Sequence, residues 1–301
     1  MSELLHKIRH LIGTAASFSS FGMWGVCLAF VVLPLARRRC HGSELDKAMA
    51  CRRWVSASFR RLFRFMVRRG IFDFSGQPTS ADLPADKRFV LIANHPSLVD
   101  MVAILSCFPE AVVVAKTTMF NNPLLGPILR HCAFIDGGDG GVFSGAAVVA
   151  AAVERLRAGT PVLIFPEGTR SGPRGFGSFR QGAFEMAVRA GVPLLPAFIT
   201  SRPRTLMKGM RWYQIPTERV TMRVELGAPI HAAEGESARQ LMKRAQSLYE
   251  ARLAEVGMIA PADEAALPTR PQLAESAPAI HHPAAHAQGG SEPHPKATSA
   301  A

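Results

Sequence analysis

The chain lacks the signatures that assign many proteins to a function class. Its 301 residues include five cysteines: Cys27, Cys40, Cys51, Cys107 and Cys132. The number is odd and no two stand in a CxxC pair. That argues against a disulfide framework or a zinc site, and for a reducing compartment. No base can be read beside Cys107 or Cys132, so both read as structural thiols rather than acyl-accepting nucleophiles. No GxGxxG and no GxxxxGK[ST] occurs, and the glycine-rich Asp136 to Gly141 fits neither pattern. Nucleotide-phosphate binding is therefore not indicated. The absence of a GxSxG elbow disfavours a serine esterase. No helix-turn-helix, zinc-finger or RNA-recognition pattern accompanies the basic charge, which disfavours nucleic acid as a partner.

Charge is missing from one long stretch. Leu11 to Ala36 contains no Asp, Glu, Lys or Arg. As a helix it would cover about 39 Å, enough for a bilayer core with some tilt. Gly13, Thr14, Ser17, Ser19, Ser20, Gly22, Gly25 and Pro34 interrupt it. A full span, an interfacial or re-entrant hairpin and a soluble core helix all stay open. Arg37-Arg38-Arg39 stands where a cleaved signal peptide needs small residues. The same arginines bias the following domain to the cytoplasmic face of the membrane.

The positive charge sits next to that stretch. Between Arg37 and Gly70 eleven Lys and Arg oppose only Glu44 and Asp46, which accounts for nine of the twelve net charges. Such a cluster points to an anionic surface, here membrane lipid. Ala48 to Phe72 has apolar residues at helical spacing among arginines. That spacing is most often core. The arginine density favours a helix on headgroups, its arginines snorkelling to phosphates.

Two later stretches carry the chemistry. In Val90 to Asp100, VLIANHPSLVD, an apolar run ends in Asn94-His95-Pro96-Ser97. The residue before a proline avoids the α region, so His95 should be extended, and Pro96 suits a first helical position. Five residues of ideal helix turn through about 500°, so His95 and Asp100 would not share a face if both were helical. With His95 outside and Asp100 in the first turns, the carboxylate reaches back to the imidazole. Alone, an HxxxxD is weak evidence in a chain with ten histidines. A second stretch, Pro161 to Ser171, repeats the layout: an apolar run, then Pro166-Glu167-Gly168-Thr169-Arg170.

From Arg88 strand-like runs (Phe89–Ala93, Ala111–Ala115, Ala133–Asp136, Pro161–Phe165, Leu194–Thr200, Val220–Leu226) alternate with helix-like ones. This predicts an α/β fold, a mostly parallel sheet flanked by helices, with an N-terminal membrane-binding helical segment. Ligands bind beyond the carboxyl ends of such strands. His95 and Glu167 to Arg170 both follow strand ends, so they point at one crevice. The expected domains are residues 1–72, membrane-binding helices; 73–258, the catalytic domain closed by a helix over Ser237 to Val256; and 259–301, an Ala/Pro/His-rich disordered tail.

NHPSLVD and FPEGTRS resemble the NHxSxxD and FPEGTRS motifs of the glycerolipid acyltransferases, and Val192 to Pro196 resembles that family's VPxxP strand. The resemblance covers roughly Arg88 to Leu226. It implies transfer of a fatty acyl group from an acyl carrier protein or coenzyme A thioester to a lysophospholipid hydroxyl, with no metal or bound cofactor. His95 would be the general base and Asp100 its orienter, as in a hydrolase triad without its serine. Asn94, Ser97, Glu167, Gly168, Thr169, Arg170 and Arg180 would bind substrate. Within that set, Gly168 would allow close backbone approach and Arg170 would grip phosphate. Glu167 would orient Arg170 or a substrate hydroxyl. The family's arginine after Ile-Asp is Gly137 here, and Arg130 is the candidate replacement. Thr205 to Pro216 is similar to a subgroup that handles unusual lipids, and equally fits a packing loop anchored by Trp212. An esterase using water with the same base, disfavoured by the missing GxSxG, and a non-catalytic lipid-binding module, disfavoured by both halves of the site being intact, are the two rivals.

Overall fold

Strands and helices alternate through most of the chain. The computed structural model describes residues 2–138, 142–172, 177–211, 213, 214, 216 and 218–259. The helices are α1 (Ser2–Cys27), α2 (Leu33–Arg39), α3 (Glu44–Arg68), α4 (Asp100–Cys107), α5 (Thr117–Phe120), α6 (Leu125–His131), α7 (Val142–Arg157), α8 (Gly182–Ala190) and α9 (Ala238–Glu255). The strands are β1 (Phe72–Asp73), β2 (Val90–Ala93), β3 (Val112–Ala115), β4 (Ile135–Asp136), β5 (Val162–Ile164), β6 (Leu194–Arg202) and β7 (Val220–Leu226). They form one sheet in the order β1-β7-β6-β2-β5-β3-β4. The β6–β7 pair is antiparallel and every other pair is parallel. The expected tail and Trp212 lie outside the described residues.

The strand order locates a crevice. From β2 the chain moves through α4 to β3, towards the β4 edge. From β4 it returns through α7 to β5, and through α8 to β6. Right-handed crossovers in opposite directions put α4 and α8 on opposite faces. Strands β2 and β5 are neighbours, so their carboxyl ends part at a topological switch point, where open α/β sheets bind ligands. The core strand β2 is entirely buried, as a parallel strand covered on both faces must be.

Strands β2 and β6 also separate at this end. The Tyr249 hydroxyl of α9, fully buried, donates to the Ile92 carbonyl at 2.6 Å and accepts from the Ala197 N–H at 3.1 Å. Two residues further, the Asn94 side chain stands in for backbone, donating to the Ile199 carbonyl at 2.8 Å and accepting from its N–H at 2.7 Å. Tyr249→Phe should cost about 1–3 kcal/mol, because two buried backbone groups lose their shared partner. Chemical denaturation of the pair of proteins checks this. An unchanged midpoint would mean the two strands simply close on each other.

The amino-terminal region divides differently from the sequence expectation. Helix α1, a π-helical stretch Leu28–Val32 and α2 run on without a hairpin. Pro34 lacks an N–H and its ring crowds the carbonyl four residues back, and the wider π turns lie directly before it. Within Leu11–Arg39 an 18-residue window reaches a mean hydropathy of 1.9, so the helix is long and apolar enough to cross a membrane. Only 17% of that window is buried, whereas a soluble core helix would be mostly covered. Leu28 and Leu33 face the domain, while Ile12, Met23, Val26, Phe30 and Val31 are exposed.

Helix α3 does not lie on headgroups by its apolar stripe. Cys51, Val55, Phe63 and Met66 are buried in the common core, and Phe63 stacks on Phe74 at 3.8 Å. Arg52 is only 3% exposed and donates to the Cys132 carbonyl at 2.9 Å, so it does not snorkel. Arg53, Arg61, Arg64, Arg68 and Arg69 remain exposed. No compact boundary falls at residue 72, since Met1–Ala262 is one unit. Deleting residues 1–70 should therefore abolish the cooperative thermal transition seen by circular dichroism. A cooperative melt of the truncated chain would make this segment a detachable anchor.

Candidate active site

The first motif loop is built around one carboxylate. Chain leaves β2 at Ala93 and enters α4 at Asp100, four residues later than a helix opening at Pro96 would give. The reason is Asp100 itself. It accepts from the Ser97 N–H and the Ser97 hydroxyl, both at 2.5 Å, which holds the intervening residues in a turn. The same carboxylate lies 2.8 Å from His95 Nδ1. Asp100 is fully buried, while the His95 side chain is 17% exposed. Burial pushes the Asp100 carboxyl above its ordinary range, and the imidazole and Ser97 oppose that by favouring the charged form. With Nδ1 committed to Asp100, Nε2 is the nitrogen left for a reacting group.

The second motif loop locks onto the first. Glu167 is 5% exposed and accepts from the His95 N–H at 2.9 Å, the Gly177 N–H at 2.7 Å and the Ser171 hydroxyl at 2.9 Å. The Ser171 N–H returns a bond to the His95 carbonyl at 2.7 Å. The backbone on both sides of the imidazole is thus held by the FPEGTRS turn. Phe165, which the sequence did not single out, stacks on the imidazole with centroids 4.3 Å apart. Its place as the first residue of the FPEGTRS motif, at the end of an apolar run, was the signal.

The other site residues sort by exposure. Thr169 and Arg180 are exposed, and Arg170 and Gly168 are half-buried. Arg170 donates to the carbonyls of Leu206 and Met207 at 3.1 and 3.3 Å, not to Glu167. The expected Glu167–Arg170 pairing is absent because Glu167 turns inward to the His95 loop. Gly168 has φ +67°, and a Cβ there would stand 2.8 Å from Arg180 Nε. Close approach at this glycine is thus by the Arg180 side chain. Asn94 and Ser97 are buried, with their polar atoms engaged within the fold. Arg130 donates to the Phe120 carbonyl at 2.9 Å, a brace within the α5–α6 region rather than a replacement cation. Lys116, unremarked in the sequence, follows the carboxyl end of β3 at the same end of the sheet and is exposed. The thiols are remote from this chemistry. Burial pushes Cys107 up to about 11 and Cys132 up as well, which keeps both protonated and unreactive.

Fold and side chains together define an α/β domain with a histidine–aspartate pair in its switch-point crevice and cations around it. Residues 77–200 match the family model described as Acyltransferase. The chain is 30% identical over 175 residues to the 1-acyl-sn-glycerol-3-phosphate acyltransferase of Salmonella typhimurium, covering 56% of this chain and 67% of that protein. It is 29% identical over 205 residues to the human 1-acyl-sn-glycerol-3-phosphate acyltransferase beta, covering 63% and 67%. Against the chloroplastic 1-acyl-sn-glycerol-3-phosphate acyltransferase LPAT1 of Arabidopsis thaliana it is 28% identical, and spans 42% of that protein's length. The fold is similar to the crystal structure of the 1-acyl-sn-glycerophosphate acyltransferase PlsC from Thermotoga maritima. The TM-score is 0.62 at 23% identity, over 83% of this chain and 97% of that one. The chain belongs to the glycerolipid acyltransferase family.

Proposed function

We propose that the protein transfers a fatty acyl group from an acyl thioester to the free hydroxyl of a lysophospholipid such as 1-acylglycerol-3-phosphate, in phospholipid biosynthesis. The observation that carries this is the His95 Nδ1 to Asp100 contact of 2.8 Å, with the imidazole held in the crevice. Nε2 takes the proton of the acceptor hydroxyl as its oxygen attacks the thioester carbonyl. Asp100 keeps the tautomer and stabilises the imidazolium. The C–S bond then breaks, the thiolate takes the proton, and an ester is left on the glycerol. No covalent enzyme intermediate is needed, because the acceptor oxygen is itself the nucleophile.

Roles follow from exposure. Arg170, Arg180 and Lys116 are cations available to a phosphate at this end of the sheet, and Thr169, next to Arg170 in the chain, is an exposed hydroxyl. Asn94, Ser97 and Glu167 act on the positions of His95 and Asp100 rather than on substrate. The exposed apolar face of Leu11–Arg39 enters the membrane, and the exposed arginines of α3 stand on its cytoplasmic face.

The test supplies acyl thioester and lysophosphatidate, then measures free thiol against new diacyl product. Equal amounts of both support acyl transfer. Thiol without product would mean a thioesterase, and neither would mean a binding module. Arg170→Lys should raise the acceptor KM about tenfold, since lysine keeps the charge and loses the fork. A rise in donor KM alone would reverse the assignment. A second reading, an unusual lipid acceptor, is favoured by Gly137. Its N–H bonds the Ala115 carbonyl at 2.7 Å where the family carries an arginine.

A further inference from the structure

Strand β6 outruns β2. Ala197 pairs with Ala93, the last residue of β2, and β6 continues to Arg202. The connection that follows makes an unusual turn at Leu206. This residue is 3% exposed, belongs to the common core and has φ +52°. A bulky side chain rarely accompanies that left-handed backbone, and a residue found there is held by its surroundings.

The turn brings backbone carbonyls to both motif loops. The Leu206 carbonyl accepts from the Leu98 N–H at 3.0 Å, inside the loop from His95 to Asp100. It also accepts from Arg170 Nη1 at 3.1 Å, and the Met207 carbonyl accepts from the same nitrogen at 3.3 Å. Both N–H groups of Nη1 are thereby used. A guanidinium has five N–H donors, so Nη2 and Nε keep three. Those two nitrogens form one edge of the planar fork, and such an edge takes two oxygens of a phosphate.

The kind of partner matters for the charge. Arg37, Arg88, Arg189, Arg223, Arg244 and Arg252 each pair with a carboxylate. Arg170 pairs with none among the described residues, although Glu167 stands three residues before it in the chain. Carbonyl dipoles orient a guanidinium without cancelling its charge, which stays available to an anion.

We propose that Leu206 is a positioning residue for the acceptor. Its left-handed turn aims the Nη2–Nε edge of Arg170 at the acceptor's phosphate and fixes that grip relative to His95. This rests on the reading of Arg170 above as a cation for that phosphate. The relation to His95 is fixed because one oxygen holds both loops. A hydroxyl near a phosphate-bearing carbon meets the base only when grip and base are correctly spaced. The His95 loop has further holds from Glu167, Ser171 and Asp100, whereas the described bonds of Arg170 are those to the two carbonyls. Loss of the turn therefore falls mainly on Arg170.

The experiment is steady-state kinetics of the full chain with lysophosphatidate and a palmitoyl thioester of coenzyme A or acyl carrier protein, whichever the wild type uses. Leu206→Ile keeps the side chain's volume but branches it at Cβ, which the left-handed backbone disfavours. Met207→Pro leaves the Leu206 side chain in place and drives the residue before the proline out of that conformation. The Met207 N–H it removes has no hydrogen bond among the described residues. Each variant should raise acceptor KM about tenfold, as Arg170→Lys does, with kcat and donor KM changed less than about threefold. Leu206→Met, which is unbranched, should retain the wild-type acceptor KM. On an Arg170→Ala background, with no guanidinium left to position, Leu206→Ile should change acceptor KM less than about twofold. Circular dichroism melts verify that the variants are folded. Either folded variant at the wild-type acceptor KM overturns the proposal and leaves Arg170 on the phosphate. A loss in kcat alone would assign the turn to the His95 loop through Leu98 and overturns it too. An additive loss with Arg170→Ala, or Leu206→Met behaving like Leu206→Ile, makes Leu206 a packing residue and does the same. Arg170→Ala at the wild-type acceptor KM removes Arg170 from the phosphate, and the proposal falls while acyl transfer stands. Wild type that makes no diacyl product sinks the acyl-transfer reading itself, and the proposal with it.

Discussion

His95→Ala is expected to lower turnover by about 10²–10⁴, the usual worth of a positioned general base. Acceptor binding should barely change, because the imidazole acts on the reacting proton and not on the headgroup. Asp100→Asn should cost as much or slightly less. Its carboxylate accepts from three donors: the Ser97 N–H, the Ser97 hydroxyl and His95 Nδ1. An amide can satisfy only some of them and invites the wrong imidazole tautomer. The double variant should fall far short of additivity, because the two residues act as one unit. The check is a double-mutant cycle on turnover with thermal melts of all four proteins. Additive losses, or losses that follow the unfolded fraction, would leave His95 as scaffold.

Glu167→Ala is expected to be the most damaging single change outside that pair. It strips the His95 N–H, the Gly177 N–H and the Ser171 hydroxyl of their acceptor at a site that is 5% exposed. An orphaned buried donor costs about 1–3 kcal/mol, and the Ser171 hydroxyl is buried while Gly177 is exposed, so a loss of about 1–3 kcal/mol or more should appear in denaturation. Turnover should drop by about 10² in the fraction that stays folded, because the His95 loop is no longer held in place. Glu167→Gln, which keeps an acceptor oxygen, should fall between the two. Its pH profile carries a further signature. Burial raises the Glu167 carboxyl above its ordinary value, against the bonds from Gly177, His95 and Ser171, so the folded chain binds this proton more tightly than the unfolded chain does. Its stabilisation is therefore present below that value and is lost as pH rises through the folded pKa. Melting temperatures of wild type and Glu167→Gln should diverge across that window, the wild type falling relative to the variant. Parallel curves would mean the carboxyl is not perturbed by burial.

Much of this protein was legible in the residues because it is local. The strands β2, β3, β5, β6 and β7 are short apolar runs bounded by prolines, glycines and polar turns, and such runs need no distant partner to be recognised. The five-residue step from His95 to Asp100 lies within one loop, so sequence spacing bears directly on their contact. What the sequence did not determine is which face of an amphipathic segment meets which surface. In α3 the period of Val55, Phe63 and Met66 is the same whether lipid or core covers it, and only the packed fold buries them in the common core, with Phe63 against Phe72 and Phe74. The roles of Asn94 and Glu167 were hidden for a related reason. Their partners, Ile199 and His95, lie 105 and 72 residues away, and a motif states that a residue is polar without saying whom it bonds. Pro96 fits a helix start by local rules, but the bonds from Ser97 to Asp100 delay the helix to Asp100 itself. Strand β1 is two residues long and exists only because β7 lies beside it. The crevice itself required the strand order, because a topological switch point is a property of connections across a sheet and not of any stretch of chain.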